Sequence, residues 1–296
     1  MPFGSLSRLD SSAPIASRSR KLHLRSSIAV RLCRGTTISG ALHGQRRAGL
    51  RRADGVTDKR ACVLGASGGI GAALVEALAT SGKFAKIYAG SRREIAPGRS
   101  HVDHFEFDFA QEATLAIAAD RIAAEGPLDL MLVATGLLHR GASVRPEKSY
   151  QQLDAAAMAE VFAVNAIGPA IAAKHFLPLL HPGRRSVIAF LSARVGSIGD
   201  NRLGGWHSYR ASKAALHALV RCYSIEMRVR NRHAIAVALH PGTVDTRLSK
   251  PFQRNVPAEQ LFLPDQSAEH LLDVVDGLTP AHSGGFFAWN GDPIIY

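Results

Sequence analysis

Tyr209 and Lys213 stand four residues apart in the stretch Tyr209, Arg210, Ala211, Ser212, Lys213, and on a helix that spacing sets both on one face. A phenol beside an ammonium is a proton-transfer device. Free tyrosine has a pKa of about 10, so work near neutrality requires it to be lowered by about 2 to 3, or about 3 to 4 kcal/mol of phenolate stabilisation. A neighbouring ammonium favours the ionised phenol and supplies that lowering. The pair by itself recurs by chance on helix faces, so its weight depends on the company it keeps. Ser192 closes the apolar run 187–191 and so presents a hydroxyl at a strand end. Asn165 lies in a long helical pattern, and Pro169, four residues on, has no N–H to give to the Asn165 carbonyl. That carbonyl is placed to hold a water in a proton relay.

A second cluster handles phosphate. The apolar run 61–64 leads directly into Gly65, Ala66, Ser67, Gly68, Gly69, Ile70 and Gly71, and then into an amphipathic helical pattern. Glycines let the backbone turn tightly and approach a pyrophosphate, while the helix N-terminus supplies free N–H groups and a positive dipole. At the end of the next apolar run stand Ser91, Arg92 and Arg93, where proteins selecting NAD carry an acid for the ribose hydroxyls. Guanidinium pairs bidentately with phosphate, so two arginines there favour a 2′-phosphate and NADP, with NAD the alternative.

These residues need a scaffold, and the rest of the chain spells one. Short β-rich runs near 61–65, 85–90, 102–107, 128–134, 186–191, 234–239 and 285–289 alternate with helical patterns at 69–81, 111–124, 154–179, 207–230 and 266–277. Such alternation builds βαβ units, and seven strands predict an α/β fold with an open, doubly wound parallel sheet. The ligand crevice of such a sheet lies beyond the carboxyl ends of its strands.

Residues 1–58 are rich in Arg and Ser and lack apolar periodicity, so they read as a disordered basic leader outside the domain at 59–296. A transit peptide, a tail, or an upstream stretch read through from a misplaced start remain open readings of that segment. The net charge of +12 sits mostly there: residues 1–60 hold 13 Lys/Arg and 3 Asp/Glu, leaving 23 and 21 for residues 61–296. The near-neutral domain therefore speaks against nucleic-acid binding. No uninterrupted apolar run approaches the roughly 18 to 20 residues that span a bilayer, so no membrane partner is expected. Cys33, Cys62 and Cys222 are far apart, and His101 and His104 fall on opposite faces of a strand, so a reducing compartment and no metal are expected.

The glycine turn, Asn165, Ser192 and the Tyr209/Lys213 pair, in that order, resemble the short-chain dehydrogenase/reductase family over residues from about 60 to 296. The resemblance implies a Rossmann-type sheet, with Tyr209 as general acid/base, Lys213 on the nicotinamide ribose, Ser192 orienting a carbonyl and Asn165 holding the relay water. It also implies cofactor contacts from Asp108 (adenine), Thr135, Gly136, and Pro241, Gly242, Val244 and Thr246. The segments 240–250 and 284–296 are similar to the C-factor-like subgroup. One departure is Val133, Ala134, Thr135, Gly136 where many members read Asn-Asn-Ala-Gly.

The function expected is hydride transfer between NADPH and a small apolar aldehyde or ketone, in the reductive direction. Leu137, Leu138, Val195, Trp206 and residues 247–264 are the expected substrate wall, and a cytoplasmic homodimer or homotetramer the expected form, mitochondria or plastids being the alternative if the leader is a transit peptide. A catalytically weak NADP-binding sensor or signalling protein is the rival reading, and an epimerase or dehydratase a third.

Overall fold

Alternate residues of a strand face opposite sides of a sheet, and here both sides are apolar. In the computed structural model, which describes residues 58–93 and 98–296, seven strands form one parallel sheet: β1 (Arg60–Leu64), β2 (Lys86–Ser91), β3 (Val102–Glu106), β4 (Leu130–Val133), β5 (Ser186–Leu191), β6 (Ala234–His240) and β9 (Phe286–Ala288). Their order is β3-β2-β1-β4-β5-β6-β9, so the winding reverses between β1 and β4. The remaining two strands, β7 (Thr243–Val244) and β8 (Leu261–Phe262), make a separate short ribbon.

One face of the sheet, with Ala61, Val63, Leu132, Ala189 and Val237, is covered by Leu74 and Leu78 of α1 (Gly69–Thr80) and Leu271 and Val275 of α6 (Pro264–Gly277). The other face, with Cys62, Leu64, Met131, Phe190 and Ala236, receives α2 (Glu112–Glu125), α4 (Gly168–Phe176) and α5 (His207–Arg230) through Leu115, Ile122, Phe176, Leu216 and Val220. At the amino ends of the strands, Arg184 pairs with Asp129 at 2.6 Å and Asp58 at 3.0 Å, well away from the crevice end. The leader expected at 1–58 lies outside the described residues, Asp58 excepted.

The helical pattern 154–179 is one continuous helix of changing pitch. α3 (Ala155–Phe162) starts on Asp154, whose side chain accepts from the Ala157 N–H at 2.8 Å. It then widens into a π turn at Ala163–Ile167, continues as α4 and tightens into a 3-10 turn, Leu177–Leu179. The 25 residues are apolar enough by length and composition to cross a bilayer, which the sequence expectation had excluded. They instead bury Val161, Ala166, Ala172, Ala173 and Phe176 inside the domain.

Candidate active site

The glycine turn follows β1 directly. Gly65 has a positive φ of 94°, and a Cβ there would lie 2.9 Å from the Ala134 carbonyl, so the turn can be this tight only with glycine. Gly71 is more confined, since a Cβ would stand 2.0 Å from the Gly65 oxygen. Gly69 lies against Thr246, whose Cγ2 would be 2.7 Å from an added Cβ. The segment after β6 thereby packs on the first turn of α1. That helix begins on Gly68 with no side-chain cap and no acid in its first turn, which suits an anion. Thr135 leaves a buried Oγ1 without a partner among the described residues, next to Gly65. Confined glycines, an uncapped helix start and an orphan hydroxyl fit a dinucleotide.

Arg92 and Arg93 follow β2 with exposed side chains. Arg93 also borders a groove along β3 that includes Asp103, His104 and Arg121 and contains none of the relay candidates. Asp108 turns its carboxylate onto the Ala110 N–H at 2.9 Å, just beyond β3. His104 is in β3 and His101 lies just before it, so the two do not share the strand on whose opposite faces they were expected.

The four relay candidates converge at the carboxyl ends of β4 and β5. Lys213 donates from Nζ to the Leu191 carbonyl at 2.9 Å and stands 5.8 Å from the centre of the Tyr209 ring. A Cβ on Gly136 would lie 3.9 Å from that Nζ and 3.8 Å from Asn165 Oδ1, which brings Gly136, Asn165 and Lys213 into one cluster. Ser192 and Tyr209 both line a cleft of about 570 Å³.

The helix changes pitch around Asn165. Pro169 denies the helix a hydrogen bond, and the chain absorbs the loss as the π turn, with Gly168 N–H donating to the Ala163 carbonyl. What the structure shows of Asn165 is its side chain: Oδ1 accepts from Leu137 N–H at 2.8 Å, and Nδ2 donates to the Leu137 carbonyl at 2.8 Å and to Ser212 Oγ at 3.0 Å. The loop after β4 is thus tied to α5.

Burial pushes the Tyr209 phenol up, opposite to the lowering expected from its neighbour, while Lys213 gives its Nζ to the Leu191 carbonyl. Burial lowers Lys213 to about 8.

The cleft wall includes Leu138, Val195, Trp206, Leu248, Phe252 and Val256, as expected. Leu137 is a correction: it packs with Val144 and Val161 behind the wall, since its backbone is held by Asn165. Trp206 presents its ring to Phe252 at 4.9 Å and Tyr209 at 6.2 Å from a left-handed backbone, φ 50°.

Two residues escaped the sequence reading. Glu147 is buried and caps α5, accepting from the Ser208 N–H at 3.2 Å and from the Ser208 hydroxyl; nothing in its local sequence signals this, because the contact spans 61 residues. His217 bonds Ser192, Nε2 to Oγ, at 2.7 Å. Its position four residues beyond Lys213, on the same helix face, was the available signal.

Residues 59–257 match the model of the short chain dehydrogenases. The chain belongs to that family. C-signal of Myxococcus xanthus is 36% identical over 169 residues, 57% of this short chain dehydrogenase and 93% of C-signal. An uncharacterised oxidoreductase of Schizosaccharomyces pombe is 29% identical over 261 residues, 81% and 99% of the two chains. Among solved structures, the NADPH-bound carbonyl reductase from chicken fatty liver superposes with a TM-score of 0.67 at 25% identity, over 81% of this chain and 95% of that one. Carbonyl reductase Sniffer of D. melanogaster, at 21% identity and TM-score 0.70 over 81% and 100%, shares the fold. This short chain dehydrogenase is thus an oxidoreductase dependent on a nicotinamide cofactor.

Proposed function

We propose that this enzyme is an NADPH-dependent reductase of small apolar aldehydes and ketones, with Tyr209, Lys213, Ser192 and Asn165 as its proton relay. The observation that carries the reading is the single cleft that Ser192 and Tyr209 share with Ile70 of the glycine turn and with Thr246. Its volume of about 570 Å³ lies in the range of small-molecule sites, and its wall is largely apolar. Support for NADPH over NADH comes from Arg92 and Arg93 after β2 and from the NADPH in the chicken reductase.

A dinucleotide would be held at its pyrophosphate by the glycine turn and at its nicotinamide end by Thr135, Gly136 and residues 241–246, and would supply the hydride for the carbonyl carbon. Ser192 donates a hydrogen bond to the carbonyl oxygen and fixes its direction. Tyr209 gives its phenolic proton to that oxygen, completing the alcohol. Burial keeps the phenol protonated at neutral pH, as a general acid must be. The phenolate left behind is opposed by the same burial, and the Lys213 ammonium nearby offsets that cost. Asn165 keeps the β4 loop on α5 and borders the water that refills the phenol.

Consumption of NADPH over a panel of aldehydes and ketones tests the reading. Turnover of apolar carbonyls, with NADPH preferred to NADH, is the expected result. NADPH binding without turnover on any of them would overturn it and leave the second reading, an NADP-binding signalling protein, whose support is the similarity to C-signal.

A further inference from the structure

His217 stands one turn beyond Lys213 on α5 and is buried, as is Ser192. Its Nε2 lies 2.7 Å from Ser192 Oγ. The ring cannot easily leave that position. Phe286 packs on it at 4.2 Å and Tyr296 at 5.5 Å between ring centres, and Gly196 closes the far side, where a Cβ would come within 3.0 Å of His217 Cε1. The serine is fixed too, its N–H donating to the Leu239 carbonyl at 2.7 Å.

We propose that His217 is a positioning residue that donates from Nε2–H to Ser192 Oγ, so that the serine's own hydrogen points into the cleft toward the substrate carbonyl oxygen. The inference rests on the proposed role of Ser192. It follows from counting hydrogens. Burial, and after it the Lys213 charge, lower His217 to about 4, so the ring is neutral at physiological pH and carries one N–H. Its Nδ1 is buried with no partner among the described residues.

Were the hydrogen on Nδ1, a donor would be buried unpaired, and Ser192 would have to spend its hydrogen on Nε2. The cleft would then meet only serine lone pairs, which repel a carbonyl oxygen. With the hydrogen on Nε2, the unpaired group is an acceptor among aromatic rings, a milder defect than an orphaned N–H. Ser192 accepts one bond and keeps one hydrogen to give. A nucleophilic role for the serine is disfavoured by the same observation, because no carboxylate among the described residues orients the histidine through Nδ1.

The test is a double-mutant cycle with His217→Met, which fills the space without a donor, and Ser192→Ala. If His217 acts through Ser192, His217→Met lowers kcat on a carbonyl substrate about 10-fold or more and leaves the NADPH Kd unchanged. The double variant is then no slower than Ser192→Ala, within about twofold. His217→Gln, which restores an N–H, recovers most of the loss. Losses that multiply in the double variant overturn the inference while leaving the serine's role intact, whereas full activity in Ser192→Ala removes that role and the inference with it. A readout independent of turnover, and of whether the variants fold, is the ¹⁵N spectrum of histidine-labelled wild-type enzyme: His217 should show the Nε2–H tautomer, and an Nδ1–H ring overturns the proposal.

Discussion

Asn165 grips the backbone of Leu137 at both polar ends, accepting from its N–H and donating to its carbonyl, each at 2.8 Å. Replacing it with alanine strands both groups in a buried site, where an unsatisfied polar group costs about 1 to 3 kcal/mol. Asn165→Ala should therefore lose about 2 to 4 kcal/mol in urea unfolding. A loss under about 1 kcal/mol would mean that water replaces the amide and that the bracket is dispensable.

Tyr209→Phe removes one oxygen and little volume. Turnover should fall by about 10² to 10⁴, the usual weight of a positioned acid, while NADPH affinity stays within twofold by titration. Near-wild-type activity on a substrate the parent reduces would remove Tyr209 from the role of acid.

Lys213 titrates near 8 in the folded protein and near the ordinary lysine value of about 10.4 when unfolded. Between those values the unfolded chain binds more protons, so the contribution of this group to stability rises with pH across that window and is lost as pH falls through about 8. Unfolding free energies of wild type and Lys213→Met should diverge from pH 8 to 10, with the wild type gaining. Parallel curves would show that Nζ is as well solvated in the fold as outside it.

Changing Arg92 and Arg93 together to alanine should weaken NADPH by about 1.5 to 3 kcal/mol, the worth of charged hydrogen bonds, and NADH far less. Because Arg93 also borders the groove along β3, the Arg92 single variant should carry the larger share. Equal loss for both cofactors would end the 2′-phosphate assignment.

Strands and helices were legible because buried parallel strands are short apolar runs and the covering helices keep a 3.6-residue period; α5 has the expected bounds, and β2 is displaced by one residue. The ribbon of Thr243–Val244 with Leu261–Phe262 was not, since two residues carry no period. Pro169 announced an irregularity but not its form, because a missing N–H can end in a kink or a π turn. The residues proposed for the relay stood out by type and order. Leu137 was misread, as an apolar side chain looks the same in sequence whether it walls a cleft or backs one. Glu147 and His217 were missed because their meaning lies in contacts with Ser208 and Ser192, which only the fold creates.

The helix beginning at Gly69 has no side chain at its head, unlike α3 with Asp154. Its leading N–H groups are left to whatever anion arrives, so a phosphate held there completes the helix as well as binding to it. Affinity for the nucleotide and resistance to heat then become two readings of one equilibrium. A shift in melting temperature with added NADPH ranks variants of the turn without any substrate being known, and an acidic side chain engineered into the first turn would compete with the nucleotide for the same place.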